Sequence, residues 1–272
     1  MSGQSGHWGD LRARLLSGIA MAAIALTCLT SGGMAWQILV FIIAVGLAVE
    51  WGLLITAQGN GPGTALLAAC IGVAVIAFAT DCPQATLAVL VFGLLALLAW
   101  TRKPLLAAGI PCIGAAVIAL LWLRTDPVAG LANVLFVVVV VCCSDIGAYL
   151  AGRAIGGRKL APTISPGKTI SGAFGGLFAA ALAGIAVAAW ASPAGQNGDP
   201  AHTAILAILL AMVAQAGDLA ESWLKRKVGA KDSSHLIPGH GGLLDRLDAL
   251  LAVAPVAAVL ALTLGRGVVL WQ

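Results

Sequence analysis

The sequence predicts an all-α, polytopic membrane protein, and three observations carry that reading. Of the 272 residues, 60% are hydrophobic and only 10% are charged, against roughly 25% charged in an ordinary soluble domain. The apolar residues fall in runs long enough to cross a hydrocarbon core about 30 Å thick. The basic residues gather on alternate breaks between those runs, as in a chain threaded back and forth across a bilayer. A soluble fold of this length has no interior able to take so much apolar surface, so lipid must cover it.

About nine spans can be drawn. The first, 14–31, follows Arg12 and Arg14 and reads as an uncleaved signal anchor, because further spans come after it. The others cover 36–55, 63–80, 86–101, 105–123, 131–150, 172–191, 202–220 and 247–265. Between them stand Ser31-Gly32-Gly33, Gly59-Asn60-Gly61-Pro62-Gly63, Asp81-Cys82-Pro83, Arg102-Lys103-Pro104, Thr125-Asp126-Pro127 and the stretch from Gly195 to Pro200. Their Gly, Pro, Asn and Asp residues end helices and start turns. Small residues recur inside the spans, as in Gly172-Ala173-Phe174-Gly175-Gly176, and let helix backbones approach where water supplies no hydrophobic drive. Trp36, Trp100 and Trp122 are placed to mark membrane interfaces. By chemistry, residues 1–130 form an N-terminal membrane region of spans one to five. Residues 131–272 hold spans six to nine with two charged loops.

An odd number of spans puts the termini on opposite sides. With a cytosolic N-terminus, the inside segments carry Arg12, Arg14, Arg102, Lys103, Arg153, Arg158, Lys159, Lys168, Lys225, Arg226, Lys227, Lys231 and Arg246. Of the 15 basic residues, only Arg124 and Arg266 remain outside. That bias sets orientation and span number together. The formal net charge of +4 is too small to suggest nucleic acid as a partner. The six cysteines are scattered and form no C-x-x-C pair, so they read as small buried residues rather than metal ligands or disulfides.

Two inside segments are unlike the rest. The first runs from Ser144-Asp145 through Tyr149 and Gly152-Arg153 to Ser165-Pro166-Gly167-Lys168-Thr169. The second runs from Asp218 through Glu221-Ser222, Lys225-Arg226 and Lys231-Asp232 to His240-Gly241-Gly242 and Asp245-Arg246-Leu247-Asp248. Asp145 and Asp218 fall within apolar runs, where a bare carboxylate needs a cation or a wet cavity. Asp218, Glu221 and Ser222 share a helical face at i, i+3, i+4, and Asp245 and Asp248 repeat the i, i+3 relation. Carboxylates on facing helix ends suit Mg²⁺, which takes a few carboxylates together with waters and substrate phosphates. With Arg158, Lys159 and Lys227, the residues Arg153, Lys168, Lys225, Arg226, Lys231 and Arg246 make nine bases against six acids in the two segments, and such residues bind phosphate. The Gly-rich turns can bring backbone N–H groups close to an anion. Acids for metal, bases for phosphate and glycines for close approach make a toolkit for phosphoryl or nucleotidyl transfer.

Each element also has a plainer reading. Arg158, Lys159 and Lys227 serve equally well as topology determinants and headgroup anchors. His235 and His240 have weak metal spacing, and a turn histidine contacting an anion or the backbone fits better. Glu50, inside the second span, reads as a buried acid paired structurally. What those readings leave unexplained is the gathering of all these residue types into two segments.

From Ser222 to Asp248 the chain resembles the signature of the phosphatidate cytidylyltransferases. The match comprises Ser222-Trp223-Leu224-Lys225-Arg226, Lys231-Asp232 and Ile237-Pro238-Gly239-His240-Gly241-Gly242-Leu243-Leu244-Asp245-Arg246-Leu247-Asp248. The first segment is also similar, with one departure: Ile170-Ser171-Gly172 stands where family members often carry Glu near position 171. The resemblance implies CTP + phosphatidate → CDP-diacylglycerol + pyrophosphate, at a cytosol-facing site in a bacterial inner membrane. It implies Mg²⁺, with a second cation beside it, a membrane-lipid environment and a homodimer. On the matching positions, Asp218, Asp245 and Asp248 would hold metal, with Asp145 near a second cation. Ser222, Lys225, Arg226, Lys231 and Arg246 would handle phosphates. Arg153, Ser165, Lys168, Thr169, His240, Gly241 and Gly242 would support substrate binding. The rival readings are a CTP-dependent polyprenol or lipid kinase, which would release CDP, a membrane transporter, and a lipid-binding protein without metal.

Overall fold

A computed structural model describes the backbone of residues 5–56, 61–193, 198–234 and 241–272, with side chains from residue 17 onward in those ranges. His235 and His240 lie outside the described residues. The helices are α1 (Ser5–Ser31), α2 (Gly33–Thr56), α3 (Pro62–Ala79), α4 (Pro83–Thr101), α5 (Pro104–Ala107) and α6 (Gly109–Arg124), followed by α7 (Gly130–Ile155), α8 (Ile170–Ala191), α9 (Pro200–Lys227) and α10 (Leu244–Leu264). Among the described residues, eight helical stretches are long and apolar enough to cross a membrane, with Pro104–Arg124 counting as one. Ser17–Ser31 is a shorter apolar helix. Eight of the nine expected spans fall on these stretches, the first falls on α1, and the protein is an all-α polytopic membrane protein.

The helix starts follow from the turn residues. Pro stands in the first turn of α3, α4, α5 and α9, where its missing N–H costs nothing. Asp199 caps α9 by accepting from the N–H groups of Ala201 and His202. The fifth span is broken between α5 and α6. Pro111, in the first turn of α6, cannot donate back to the preceding turn. The Leu105 carbonyl, freed by the same break, accepts instead from the Trp51 indole at 2.9 Å.

The chain packs as two compact units, Met1–Ile110 with Asp232–Arg246, and Pro111–Lys231 with Leu247–Gln272. Where the sequence divides by chemistry at residue 130, packing divides it at 110 and assigns the 232–246 segment to the first unit. In that unit α2 packs on α3 and α3 on α4, and Gly52 leaves room only for Thr64.

In the second unit α7 and α8 lie in close contact along small residues. A Cβ at Gly172 would stand 2.7 Å from the Ala148 carbonyl, and one at Gly176 would stand 2.8 Å from that of Ser144. Both neighbours are backbone, so the helices could not accommodate the added atom without moving apart. The last residues fold back at the other end of this unit. Trp271 is fully buried against Phe136 at 4.9 Å between rings, and its indole donates to the Ser192 hydroxyl. Trp100 and Trp190 remain exposed, whereas Trp36, expected at an interface, is buried.

Asp126, in the turn before α7, ties that end together. Its carboxylate accepts from the N–H groups of Val128 and Ala129, both at 2.9 Å, and from Gly267. Burial alone would push its carboxyl up, but these three bonds and the Arg266 charge outweigh it and hold the group below the usual carboxylate range. A depressed folded value stabilises fully above the unfolded value of about 4 and is lost as pH falls through the folded one. The melting midpoint of wild type in detergent should therefore exceed that of Asp126→Asn at pH 7. The gap should close toward pH 3, and an unchanged gap there would refute the linkage.

Candidate active site

The second unit contains a cavity of about 460 Å³ among α7, α8, α9 and a feature the sequence reading missed. After α7 the chain does not continue as loop: β1 (Lys159–Ala161) pairs antiparallel with β2 (Ser165–Thr169), with Lys159 opposite Thr169 and Ala161 opposite Ser165. Gly156 (φ 66°) and Gly157 (φ 100°) turn the chain out of α7 in a conformation that other residues rarely adopt. Pro162-Thr163 between the two short strands is the local turn signal that could have revealed the hairpin.

α7 supplies Asp145, Ala148, Tyr149, Gly152 and Arg153 to the cavity wall. Their i, i+3, i+4, i+7, i+8 spacing is one helical stripe. At roughly 1.5 Å per residue, the 26 residues of α7 and the 28 of α9 reach about 40 Å. Both therefore outrun the hydrocarbon core and carry Arg153 and Lys225-Arg226-Lys227 beyond it. β2 adds Gly167, Lys168 and Thr169, α8 adds Gly172 and Ala173, and α9 adds Gln215 and Asp218.

These contributions are held in place by polar contacts. Lys168 pairs with Asp218, each about a quarter to a third exposed. Gln215 donates to the Ala173 carbonyl at 3.1 Å, and the Arg226 side chain reaches the Ile164 carbonyl at 3.3 Å. Thr169 caps α8 by accepting from the Gly172 N–H at 3.0 Å. Ser171 donates to the Gly156 carbonyl, so the residue that departs from the family pattern ties the start of α8 to the end of α7. The first charged segment thus meets the Asp218-to-Arg226 part of the second within this unit.

Asp145 and Asp218 line the cavity, and Asp248 lies within electrostatic range of Asp218, Glu221 and Asp145. Gly217 allows the approach, since a Cβ there would be 3.2 Å from the Asp248 carbonyl. Against these four acids stand Lys168, paired with Asp218, and Lys225, paired with Glu221 at 2.7 Å. In the first unit Asp245, one turn before Asp248 on α10, accepts from the N–H and hydroxyl of Ser233 and from the Gly242 N–H at 3.1 Å. Arg246, Lys231 and Arg226 are exposed, Ser222 is half-buried, and Ser165 lies on β2 away from the cavity lining. Lys227 lies over the Trp223 ring at 4.8 Å, as suits an interfacial anchor.

Among the described residues, no three His, Cys, Asp or Glu side chains converge into a closed metal cage. The donor set nevertheless fits a hard divalent ion. Four acids face two lysines, and Mg²⁺ binds through one or two carboxylates while keeping places for water and phosphate.

A sequence model of the cytidylyltransferase family matches residues 12–264. Proteins named phosphatidate cytidylyltransferase from Brucella suis and Brucella abortus are each 41% identical over 251 residues, covering 90% of this chain and 91% of theirs. One of the same name from Haemophilus influenzae is 46% identical over 132 residues, 48% of this chain and 46% of that protein.

Proposed function

The chain belongs to the cytidylyltransferase family, and from that premise we propose that the cavity lined by α7, the hairpin and α9 is where it acts as a phosphatidate cytidylyltransferase. It is an integral membrane enzyme that transfers CMP from CTP to phosphatidate, giving CDP-diacylglycerol and pyrophosphate. The observation that carries the placement is the Lys168–Asp218 pair in the wall of a cavity that also holds Asp145 and Arg153.

The nucleophile is a phosphate oxygen of the lipid, already anionic near neutral pH, so no strong general base is required. It forms a bond to the α-phosphorus of CTP, and the bond from that phosphorus to the bridging oxygen breaks, releasing pyrophosphate. The chief obstacle is the meeting of two anions. Lys168 and Arg153 screen the approach from the cavity wall, and Lys225, Arg226, Lys231, Arg246 and Ser222 are assigned to the phosphates. Asp218 and Asp248, with Asp145 beside them and Asp245 assigned to the same role by the family pattern, would hold Mg²⁺, which would supply charge neutralisation for the leaving pyrophosphate. A second cation, a homodimer, a cytosolic N-terminus and a cytosol-facing site in the bacterial inner membrane complete the reading. The positive-inside distribution of basic residues supports the orientation.

Purified protein given labelled CTP and phosphatidate should form labelled CDP-lipid and pyrophosphate with Mg²⁺, and neither in its absence. Release of CDP with a newly phosphorylated lipid would make the protein a lipid kinase and overturn the assignment.

A further inference from the structure

Glu50 is the one acid in the first five spans apart from those at their ends, and it sits six residues before the end of α2, 1% exposed. Its partners come from almost two hundred residues away. One carboxylate oxygen accepts from the Leu243 N–H at 2.8 Å and from the Ser234 hydroxyl. The other accepts from the Leu244 N–H at 2.6 Å, with the Ser233 hydroxyl at 3.5 Å. Leu243 and Leu244 stand at the start of α10, whose first N–H groups have no partner within the helix and favour a negative charge. The Ser233 hydroxyl donates at 2.9 Å to Asp245, which in turn accepts from the Gly242 N–H. Both sides of the family signature, Ser233-Ser234 and Gly242 to Asp245, are therefore fastened to a single carboxylate on α2.

The seat has little slack. Gly241 has φ +83°, and a Cβ on Gly242 would run into the Ser233 hydroxyl while standing 3.0 Å from Asp245 and 3.1 Å from Glu50. A Cβ on Gly46, one turn earlier on α2, would meet Leu243 at 3.0 Å. A buried carboxylate survives only with such donors, and Glu50 receives two backbone N–H groups and the Ser234 hydroxyl, while Ser233 gives its proton to the neighbouring Asp245. This chemistry distinguishes the site from ordinary packing: a neutral isostere of the same shape cannot replace it, because a carboxamide offers one acceptor and turns an N–H toward a donor.

We propose that Glu50 is a positioning residue for cytidylyl transfer, clamping the segment that carries Asp245 and Arg246 from the opposite end of the sequence. The inference rests on the function proposed above, and it concerns a residue that never touches substrate. Its loss should lower kcat more than it raises KM for CTP, since the groups remain present but are no longer held in place.

The test uses full-length protein in detergent micelles, with Glu50→Gln, Ser234→Ala and the double variant. Glu50→Gln is expected to lower kcat at least tenfold with KM changed less than threefold. The double variant should be no slower than Glu50→Gln alone, because both remove the same clamp. Hydrogen exchange followed by mass spectrometry should quicken in peptides covering 241–245 and stay at the wild-type rate in α3 and α4. Wild-type kcat in Glu50→Gln would overturn the proposal, as would exchange that quickens equally across α2, α3 and α4, the mark of general destabilisation. Asp218→Asn in the same assays separates the two readings. It should lose turnover with 241–245 exchange unchanged, and full turnover there would refute the proposed active site without touching the exchange result for Glu50.

Discussion

Asp218→Asn is expected to reduce CDP-diacylglycerol formation by about a thousandfold, equivalent to about 4 kcal/mol of transition-state stabilisation. The side chain lines the cavity, pairs with Lys168 and faces Asp248. The amide keeps the shape but removes the charge that would hold a divalent ion beside the phosphates. The fold should survive, because the lost ion pair with Lys168 is offset by relief of repulsion from neighbouring carboxylates. Steady-state turnover with labelled CTP, read beside the melting midpoint, checks both halves. Near-normal turnover would remove Asp218 from the metal assignment, and a collapsed midpoint would show a structural role instead.

Lys168→Met should lower kcat/KM by roughly one to two orders of magnitude, the size of a charge-assisted hydrogen bond to phosphate. Lys168 hangs from β2 with its ammonium on Asp218. With a divalent ion held by Asp218, the lysine would be released from its carboxylate partner to meet a phosphate. Lys168→Arg should recover only part of the loss, since a planar fork does not place its charge where a compact ammonium does. In the double variant with Asp218→Asn the rate should be no lower than with Asp218→Asn alone, because residues that act as one unit are not additive. A kcat/KM for Lys168→Met within twofold of wild type would contradict this role.

How much of this was legible beforehand depends on how local each signal is. The spans were readable because a run of apolar residues and a Pro or Gly at its edge are properties of neighbours in the chain. The stripe from Asp145 to Arg153 could likewise be read from spacing alone, and the small residues between α7 and α8 announced close packing. The hairpin of β1 and β2 was missed because three and five residues around Pro162 and Pro166 give too short a pattern to stand against a loop.

Composition, the succession of apolar helices and the family signature were thus determined by the sequence itself, since hydrophobicity and motif spacing act over a few turns of chain. Only the tertiary structure shows which neighbours each carboxylate meets. Asp245 and Asp248 look equivalent as an i, i+3 pair, yet Asp245 is bound by Ser233 and Gly242 while Asp248 faces Asp218, Glu221 and Asp145. Glu50 had been readable only as a paired acid. Its partners at Ser234, Leu243 and Leu244 are brought to it by helix packing across almost the whole length of the chain. The reason is physical: a buried charge is settled by whichever donors the fold delivers, and no local periodicity records which those are.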